Sequence, residues 1–568
     1  MSNNPSFLLS TIVTSILLSI TAPAIAQIPP VPNPNRDRIP QPQPLPSPLP
    51  TKPPVLTPPE TTPNPTPGSD VEIAITKVEV TGSTVFKPEE LAKLTQGVEG
   101  KSVKLKDLQA VADSITALYL DRGYITSRAV LREQSIVNGI VKIQIIEGSL
   151  ETLEIDGLKR LNKNYVESRV RLGLKIPLNK NQLEDQLQLL KSDALLESVE
   201  ASLRPGSGVG KSILSLRVKE SNPIAGNISI DNYSSPSVGS ERFGGSLTYR
   251  NVTGLGDELS AAYNRSFPGG SNALDFSYRL PVNAMNGTVQ LRIAPSNSQV
   301  IEQPFDSFDI RSNTELYELS YRQPLIRNPR EEFALSLAFA VQNGRTTISG
   351  FPLTTVGSGT DIDGRGRTRV LKFGQDYTKR DAQGAWALRS QFSLGLNAFD
   401  ATVSDTAKPD GRFFSWLGQV QRVQRLSNNQ LLIAQADVQL SPDPLLPSQQ
   451  FVIGGGQSLR GYRQNLRSGD NGIRLSLENR IAIQRNELGN PIFQLAPFVD
   501  AGWVWNQSNN TAQLANETFL ASAGLGMIWE PISRMLVRVD YAIPLIYNSD
   551  RRENAQDRGL NFSVGYSF

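Results

Sequence analysis

The chain contains neither cysteine nor histidine in its 568 residues. Without cysteine there can be no disulfide framework, thiolate nucleophile or thiolate-held iron–sulfur cluster. Without histidine there is no Ser-His-Asp or Cys-His triad, and the two absences together exclude the ordinary zinc and haem sites. No metal and no other cofactor is expected. A charge excess is missing too: 57 basic against 54 acidic residues leave a formal net charge of +3. That is too little for a nucleic-acid binder, which relies on many cationic contacts. What remains is a carboxylate-based enzyme, a binding protein, or a machine that makes and breaks no bonds.

Long apolar runs are scarce. Hydrophobic residues make up 39 % and aromatics 7 %, and the mean hydropathy is −0.26. Such averages suit a water-soluble protein, but they equally suit a membrane β-barrel, whose lipid-facing and lumen-facing residues alternate and cancel. The one long apolar stretch, residues 7–20, is broken only by Ser and Thr and is followed by Ala24-Ile25-Ala26. It falls short of the roughly 20 residues of a spanning helix and has the form of a secretory signal peptide cleaved before Gln27. Residues 27–69 then hold 17 prolines in 43 positions. Neither helix nor sheet tolerates that density, so an extended or disordered linker is expected.

From Val71 the texture changes. Ile73, Ile75, Val78 and Val80 alternate as a strand ended by Thr81-Gly82-Ser83, and Lys87-Pro88-Glu89-Glu90-Leu91 opens a helix with acids in its first turn. Leu105, Leu108, Val111, Ala112, Ile115, Leu118 and Tyr119 fall at helical spacing, with Gly123 just beyond as a stop. Ala129-Val130-Leu131 and residues 141–147 are strands joined through Asn138-Gly139. The same β-α-α-β-β order returns at once. A strand at Leu153-Glu154-Ile155 precedes helices over about 163–172 and, capped by Asn179, to Leu190; strands at 199–203 and 213–218 follow. Two consecutive units of about 75 residues form an internal repeat.

The turn between the last two strands imitates a nucleotide-binding loop, Gly206-Ser-Gly-Val-Gly210-Lys211-Ser212. The pattern requires a glycine where this chain has Pro205, and a helix where a strand follows. A glycine-rich β-turn accounts for it.

Residues 224–568 show hardly any helical period. Leu335, Leu337, Phe339 and Val341 alternate with Ser336, Ala338 and Gln342; Leu432, Ala434, Ala436, Val438 and Leu440 alternate with Gln435, Asp437 and Gln439. Ile473, Leu475 and Leu477 alternate with Arg474, Ser476 and Glu478, and the chain ends on Leu560, Phe562, Val564, Tyr566 and Phe568 against Asn561, Ser563, Gly565 and Ser567. Sixteen membrane strands of about 10 residues would leave about 185 residues for fifteen connections; with inner turns of about 4, the outer loops would average near 20. A soluble all-β domain such as a propeller is disfavoured because no blade repeat is visible. An aromatic last strand ending on Phe568 also has the form of an outer-membrane assembly signal.

Signal peptide, two repeated modules resembling POTRA domains, and an alternating C-terminal region together resemble the transporters of two-partner secretion, the haemolysin secretion/activation type of the Omp85 superfamily. The resemblance covers about Val71 to Phe568. Ser458-Leu459-Arg460-Gly461-Tyr462 is similar to that family's (V/I/L)RGY motif at the tip of the long sixth loop, and Phe498-Val499-Asp500-Ala501-Gly502 to its F-x-D-x-G strand motif. The fold implied is α+β periplasmic modules, two β-α-α-β-β POTRA-like units, followed by a 16-stranded antiparallel transmembrane β-barrel. The corresponding segments are a signal peptide at 1–26, a proline-rich linker at 27–70, POTRA-like modules at 71–148 and 149–222, and the barrel at 223–568. The resemblance further implies a loop folded into the lumen, in which Leu459, Arg460, Gly461 and Tyr462 form the motif and Arg460 meets Asp500 of the wall motif Phe498, Asp500, Gly502. Gly454, Gly455 and Gly456 would permit the loop's sharp path. Studied relatives also carry an N-terminal helix in the pore; the proline-rich residues here cannot make one, so either it is lacking or the loop alone fills the pore.

The function implied is recognition of an unfolded exoprotein in the periplasm and its export through the barrel. Substrate capture by strand addition to a sheet edge would use Ala129, Val130, Leu131 and Arg132, or Val199, Glu200, Ala201, Ser202 and Leu203. Expected partners are the secreted exoprotein, the lipid bilayer and, during biogenesis, the barrel-assembly machinery; the protein is expected to be a monomer in the outer membrane with its N-terminal modules in the periplasm. An Omp85-type assembly factor is the alternative, although such chains usually carry more than two modules. A passive porin or adhesin would leave the modules idle. A hydrolase using paired carboxylates finds no pair that stands out among many acids.

Overall fold

The computed structural model describes residues 72–353, 359–404, 409–510, 514–515 and 517–568. The expected signal peptide and proline-rich linker lie outside the described residues.

In the first module the expected opening strand is interrupted at Thr76. Its halves are β1 (Glu72–Ile75) and β2 (Lys77–Thr81), separated from each other because they join different sheets. Helix α1 (Pro88–Thr95) is followed by β3 (Lys101–Lys104), which pairs with β1, and by α2 (Leu105–Asp121). β2 runs parallel to β5 (Ile140–Ile146), and β5 takes β4 (Arg128–Val130) on its other side. The α2 residues Leu108, Val111, Ala112, Ile115 and Tyr119 share one face and pack on Val141, Ile143 and Ile145, the inward-facing alternate residues of β5.

Asn138 and Gly139 both have positive φ, 55° and 72°, as a tight hairpin turn requires, and they close on the bridge from Val137 to Ile140. The hairpin is nevertheless shorter than its sequence suggests. β4 stops at Val130, so Leu131 and Arg132 are not part of the edge strand proposed for them. The pairing register would set Arg132 opposite Lys142. That place is taken by the Gln134 side chain, which accepts from the Lys142 N–H at 2.7 Å and donates to its carbonyl at 2.8 Å. One amide satisfies both backbone groups that a continued strand would have met.

The second module comprises β6 (Ser149–Asp156), α3 (Lys163–Arg171), α4 (Lys180–Lys191), β7 (Leu196–Pro205) and β8 (Lys211–Glu220), in sheet order β6-β8-β7. β8 is central; its alternate residues Leu214, Leu216 and Val218 are buried against Val166 and Val170 of α3 and Leu183, Leu187 and Leu190 of α4. Val199 and Leu203 of β7 face this core, while Glu200 and Ser202 are exposed. β7 pairs with β8 alone among the described residues. The glycine-rich segment 206–210 is the β7–β8 turn, and Lys211 donates to the Ser149 hydroxyl at 2.9 Å.

Asn179 joins the two modules. Its side-chain oxygen accepts from the Asn181 and Gln182 N–H groups, capping α4, and its amide donates to the Arg122 carbonyl at the end of α2, 3.1 Å away. The second module is in turn tied to the barrel. The Glu220 carboxylate accepts the N–H groups of Lys159, Arg160 and Leu161 at 2.7 to 2.9 Å. From this braced loop Arg160 donates to the Asn251 carbonyl at 2.7 Å and the Asn162 N–H to the Gly254 carbonyl at 2.8 Å. Arg169 reaches the Asn286 side chain, and Arg330 pairs with Asp185.

The remaining sixteen long strands form one closed antiparallel barrel, from Ile224–Asp231 to Leu560–Ser567. The last strand closes on the first, with Ser563 to Ser567 opposite Asp231 to Asn227. Seven connections of three to seven residues lie at the end that adjoins the second module; eight of four to thirty lie at the other. The long loops are shorter than the strand arithmetic suggests because the wall takes up more chain, the sixth and seventh strands having 18 residues each. Along the twelfth strand, Asn471–Arg485, Leu475 and Leu477 point out and are half exposed, whereas Arg474 and Glu478 are buried inside. At the terminus the Phe568 N–H donates to the Gly226 carbonyl, and Gly226 leaves room for the Phe568 ring, which would lie 2.3 Å from a Cβ there.

Candidate functional site

The longest connection, residues 441–470, runs between the eleventh strand, Gln430–Leu440, and the twelfth. It contains a short hairpin, Phe451–Ile453 with Arg467–Gly469, whose arms carry the motif segment between them. The path turns at Gly454 and Gly455, with φ of 114° and 94°; a Cβ at either would meet Arg463 or Gln464 at 2.4 Å or less. Gly456 does not have positive φ, but a Cβ there would lie 2.3 Å from the Tyr233 ring.

Arg460 is buried, and three strands of the barrel wall hold it. Its Nε and Nη2 donate to the two oxygens of Asp500 at 2.7 and 2.9 Å, a bidentate grip, and its own backbone N–H adds a third bond to the same carboxylate at 3.1 Å. Nη1 donates to Glu478 at 2.6 Å and lies 3.7 Å from Asp540. The flat guanidinium lies 3.3 Å from the centre of the Phe498 ring. Asp500 also accepts from the Ser476 hydroxyl at 2.7 Å.

The wall residues neutralise one another around this arginine. Glu478 bonds Arg480 at 2.7 Å and Arg538 at 2.6 Å, while Arg538 bonds Asp540 at 2.7 Å. Three guanidinium groups thus face three carboxylates, and each buried charge has a hydrogen-bonded partner of opposite sign. Such balance is what makes burial of ions tolerable, because an unpaired one costs several kcal/mol. Glycines in the wall create the space. A Cβ at Gly502 would lie 3.0 Å from Leu459, one at Gly524 2.4 Å from Phe498, and one at Gly526 2.4 Å from Asp540.

The neighbours of Arg460 in the motif have separate contacts. Leu459 is fully buried with Phe451, Ile453, Tyr462, Val504 and Leu520 in a small apolar cluster. Gly461 has φ 89° and faces Ala542 and Ser522. The Tyr462 hydroxyl donates to the Ala521 carbonyl at 2.8 Å and accepts from the Ile546 N–H at 3.3 Å. Arg474, on the wall below, donates to the Gln457 and Ser458 carbonyls at 3.2 and 3.3 Å and pairs with Asp437.

Leu459, Arg460, Gly461 and Tyr462 are therefore together with Phe498, Asp500 and Gly502. The candidate edge strands lie apart from this site, in the modules, and Phe568 lies at the barrel seam. Sequence reasoning missed Glu478, Arg480, Arg538 and Asp540. Their signal is acids and arginines two residues apart in an alternating strand, which places both on one face.

A closed sixteen-stranded barrel, with two α/β modules at its short-turn end and an arginine loop held inside, defines an Omp85-type outer-membrane protein. Comparison with known proteins resolves the family. Residues 210–528 match the haemolysin secretion/activation protein family ShlB/FhaC/HecB, and residues 73–148 match the ShlB-type POTRA domain. The chain belongs to that family, the outer-membrane transporters of two-partner secretion, with its POTRA modules in the periplasm.

Among relatives, the outer membrane transporter CdiB of Escherichia coli O6:K15:H31 is 25 % identical over 83 % of this chain and 79 % of its own. The heme/hemopexin transporter protein HuxB of Haemophilus influenzae is 22 % identical over 82 % of each. In the solved structures, CdiB from Escherichia coli superposes with a TM-score of 0.67 at 22 % identity, covering 89 % of this chain and 93 % of that one, which shows the shared fold. BamA from Haemophilus ducreyi lacking POTRA domains 1–3 gives 0.52 at 16 % identity over 88 % of this chain and all of that one.

Proposed function

We propose that this protein recognises an unfolded exoprotein in the periplasm and exports it through the barrel, with the 441–470 loop acting as the movable element. The observation that carries this reading is Arg460, a loop residue gripped by wall residues Asp500 and Glu478. Packing alone would hold a permanent plug, whereas a charge-assisted grip is geometrically specific yet separable, since each wall carboxylate keeps another partner when the loop leaves. Asp500 retains Ser476, and Glu478 retains Arg480 and Arg538.

Capture would precede release. Among the described residues β7 has one unpaired edge, with exposed Glu200 and Ser202, and an extended chain can add to such an edge through main-chain hydrogen bonds. Of the two edges considered, β7 is the favoured one, because Gln134 occupies part of the line that β4 would extend. Folding of the exported chain outside would oppose its return. The group moved is a polypeptide, and no bond is formed or broken in it.

The test is deletion of the gene followed by quantitative comparison of secreted and outer-membrane proteins. Loss of one large exoprotein, restored by the parent gene, supports export. Depletion of many barrel proteins instead would identify an assembly factor.

A further inference from the structure

We infer that the loop carries a second, outer latch in which Arg463 is a positioning residue. It is separate from the Arg460 grip and joins the sixth loop to the third and eighth across the barrel mouth. This rests on the reading of the barrel as a gated conduit. Arg463 donates from Nε and Nη2 to the two oxygens of Asp557 at 2.6 and 2.7 Å, and from Nη1 and Nη2 to Glu302 at 3.1 and 2.8 Å. Asp557 lies in the eighth long connection, residues 545–559, and Glu302 in the third, residues 300–309. Arg552 of the eighth approaches the same Glu302 at 3.5 Å. Two guanidinium groups and two carboxylates close a neutral quartet.

Topology makes these bonds informative. The third connection follows the fifth strand, Thr288–Gln299, the sixth follows the eleventh, and the eighth follows the fifteenth, Met535–Pro544. A sixteen-stranded barrel with strands about 4.8 Å apart and tilted about 40° is roughly 30 Å across. The sixth connection is six strands from the third and four from the eighth, which on such a ring is most of a diameter in each case, so side chains that touch have to meet over the opening. Gln556 extends the tie: its side-chain oxygen accepts from the Gln464 N–H at 2.7 Å, and its amide donates to the Ser234 carbonyl of the first connection at 2.8 Å. Asn554 donates to Ser240 of that same connection at 2.9 Å.

The latch differs from the Arg460 grip in what it binds. Arg460 is bonded to the strands of a closed wall, whereas all partners of Arg463 are on loops. Loops can separate without breaking a ladder of strand hydrogen bonds. The mouth can therefore open while Arg460 still holds the motif segment of the loop against the wall, and Arg463 sets how often it does.

Purified full-length protein in planar lipid bilayers tests this without cargo. Arg463→Ala and Asp557→Asn should each raise the fraction of time in the open state about tenfold, corresponding to about 1.4 kcal/mol, while the barrel keeps its heat-modifiable electrophoretic mobility. The double variant, Arg463→Ala with Asp557→Asn, should be no more open than Arg463→Ala alone, because both changes remove the same bonds. A merely structural arginine would add its effect to that of Asp557→Asn. Folded single variants with parent-like open times, or a double variant in which the two effects add in full, would overturn the latch. Because no exoprotein is present, that result leaves the export reading to the deletion experiment.

Discussion

Arg460 lies flat against Phe498, its guanidinium carbon 3.3 Å from the ring centre. The ring fixes the plane in which the two Asp500 oxygens meet two N–H edges, so the F-x-D part of the wall motif acts as one receptor for a planar cation.

Arg460→Lys is therefore expected to behave as a loss. Lysine keeps the charge but offers a point donor that can neither grip both Asp500 oxygens in parallel nor stack on Phe498. Breaking a buried pair costs about 3 to 5 kcal/mol, and the strain falls on the loop because the wall is held by its strand ladders. Arg460→Lys and Asp500→Ala should both leave a folded barrel, expose residues 454–466 to added protease and impair export. Parent-like protease resistance and export in both would remove the loop from the mechanism.

The wall glycines give a matched pair. A Cβ at Gly524 would sit 2.4 Å from both the Phe498 ring and the Tyr541 carbonyl, whereas one at Gly245, also in a barrel strand, meets nothing closer than 4.0 Å. Backbone cannot yield as a flexible side chain can, so Gly524→Ala should displace Phe498 and loosen Arg460. Gly245→Ala should be nearly silent. Conductance traces of the two variants, compared side by side, decide the point; equal behaviour would show that the Phe498 platform is not needed.

Much of this arrangement was legible in the sequence. Arg474, Ser476 and Glu478 alternate with Ile473, Leu475 and Leu477, and the wall places the first set inside and the second outside, although Ile473 is partly covered where Leu475 and Leu477 are exposed. The Arg460 and Asp500 motifs could be recognised because family resemblance links residues forty positions apart. Glu302 and Asp557 could not: they lie 161 and 94 positions from Arg463, on loops without periodicity. The shortness of β4 was equally hidden, since nothing local to Leu131 and Arg132 announces that the Gln134 amide will satisfy Lys142 in their place.

Asn179→Ala should loosen the joint between the modules. It removes the cap of α4 and leaves the Arg122 carbonyl without its donor. Loss of such a cap costs about 0.5 to 2 kcal/mol. Hydrogen exchange at the Asn181 and Gln182 amides should accelerate by roughly 2- to 30-fold, while amides in β8 stay protected. Unchanged exchange at both positions would mean that the cap is replaced by solvent at no cost.

The junction between module and barrel should weaken in acid. Burial of Glu220 disfavours its charge, but the N–H groups of Leu161, Lys159 and Arg160 outweigh that and hold its carboxyl below the usual range. A carboxyl whose folded pKa is depressed contributes stability that is fully present above its unfolded value, near 4.3, and is lost as pH falls through the folded one. Between neutral pH and about 5 the brace of residues 159–161 is therefore expected to stay intact, and to release the Arg160 contact with Asn251 only as pH falls below the usual carboxylate range. Glu220→Gln keeps one acceptor but not the charge, so it should expose the junction already at neutral pH and remove the acid dependence there. Limited proteolysis at residues 158–162 across a pH series, with an acid-stable protease, reads this directly. An identical pH profile in parent and variant would assign the acid sensitivity to another group.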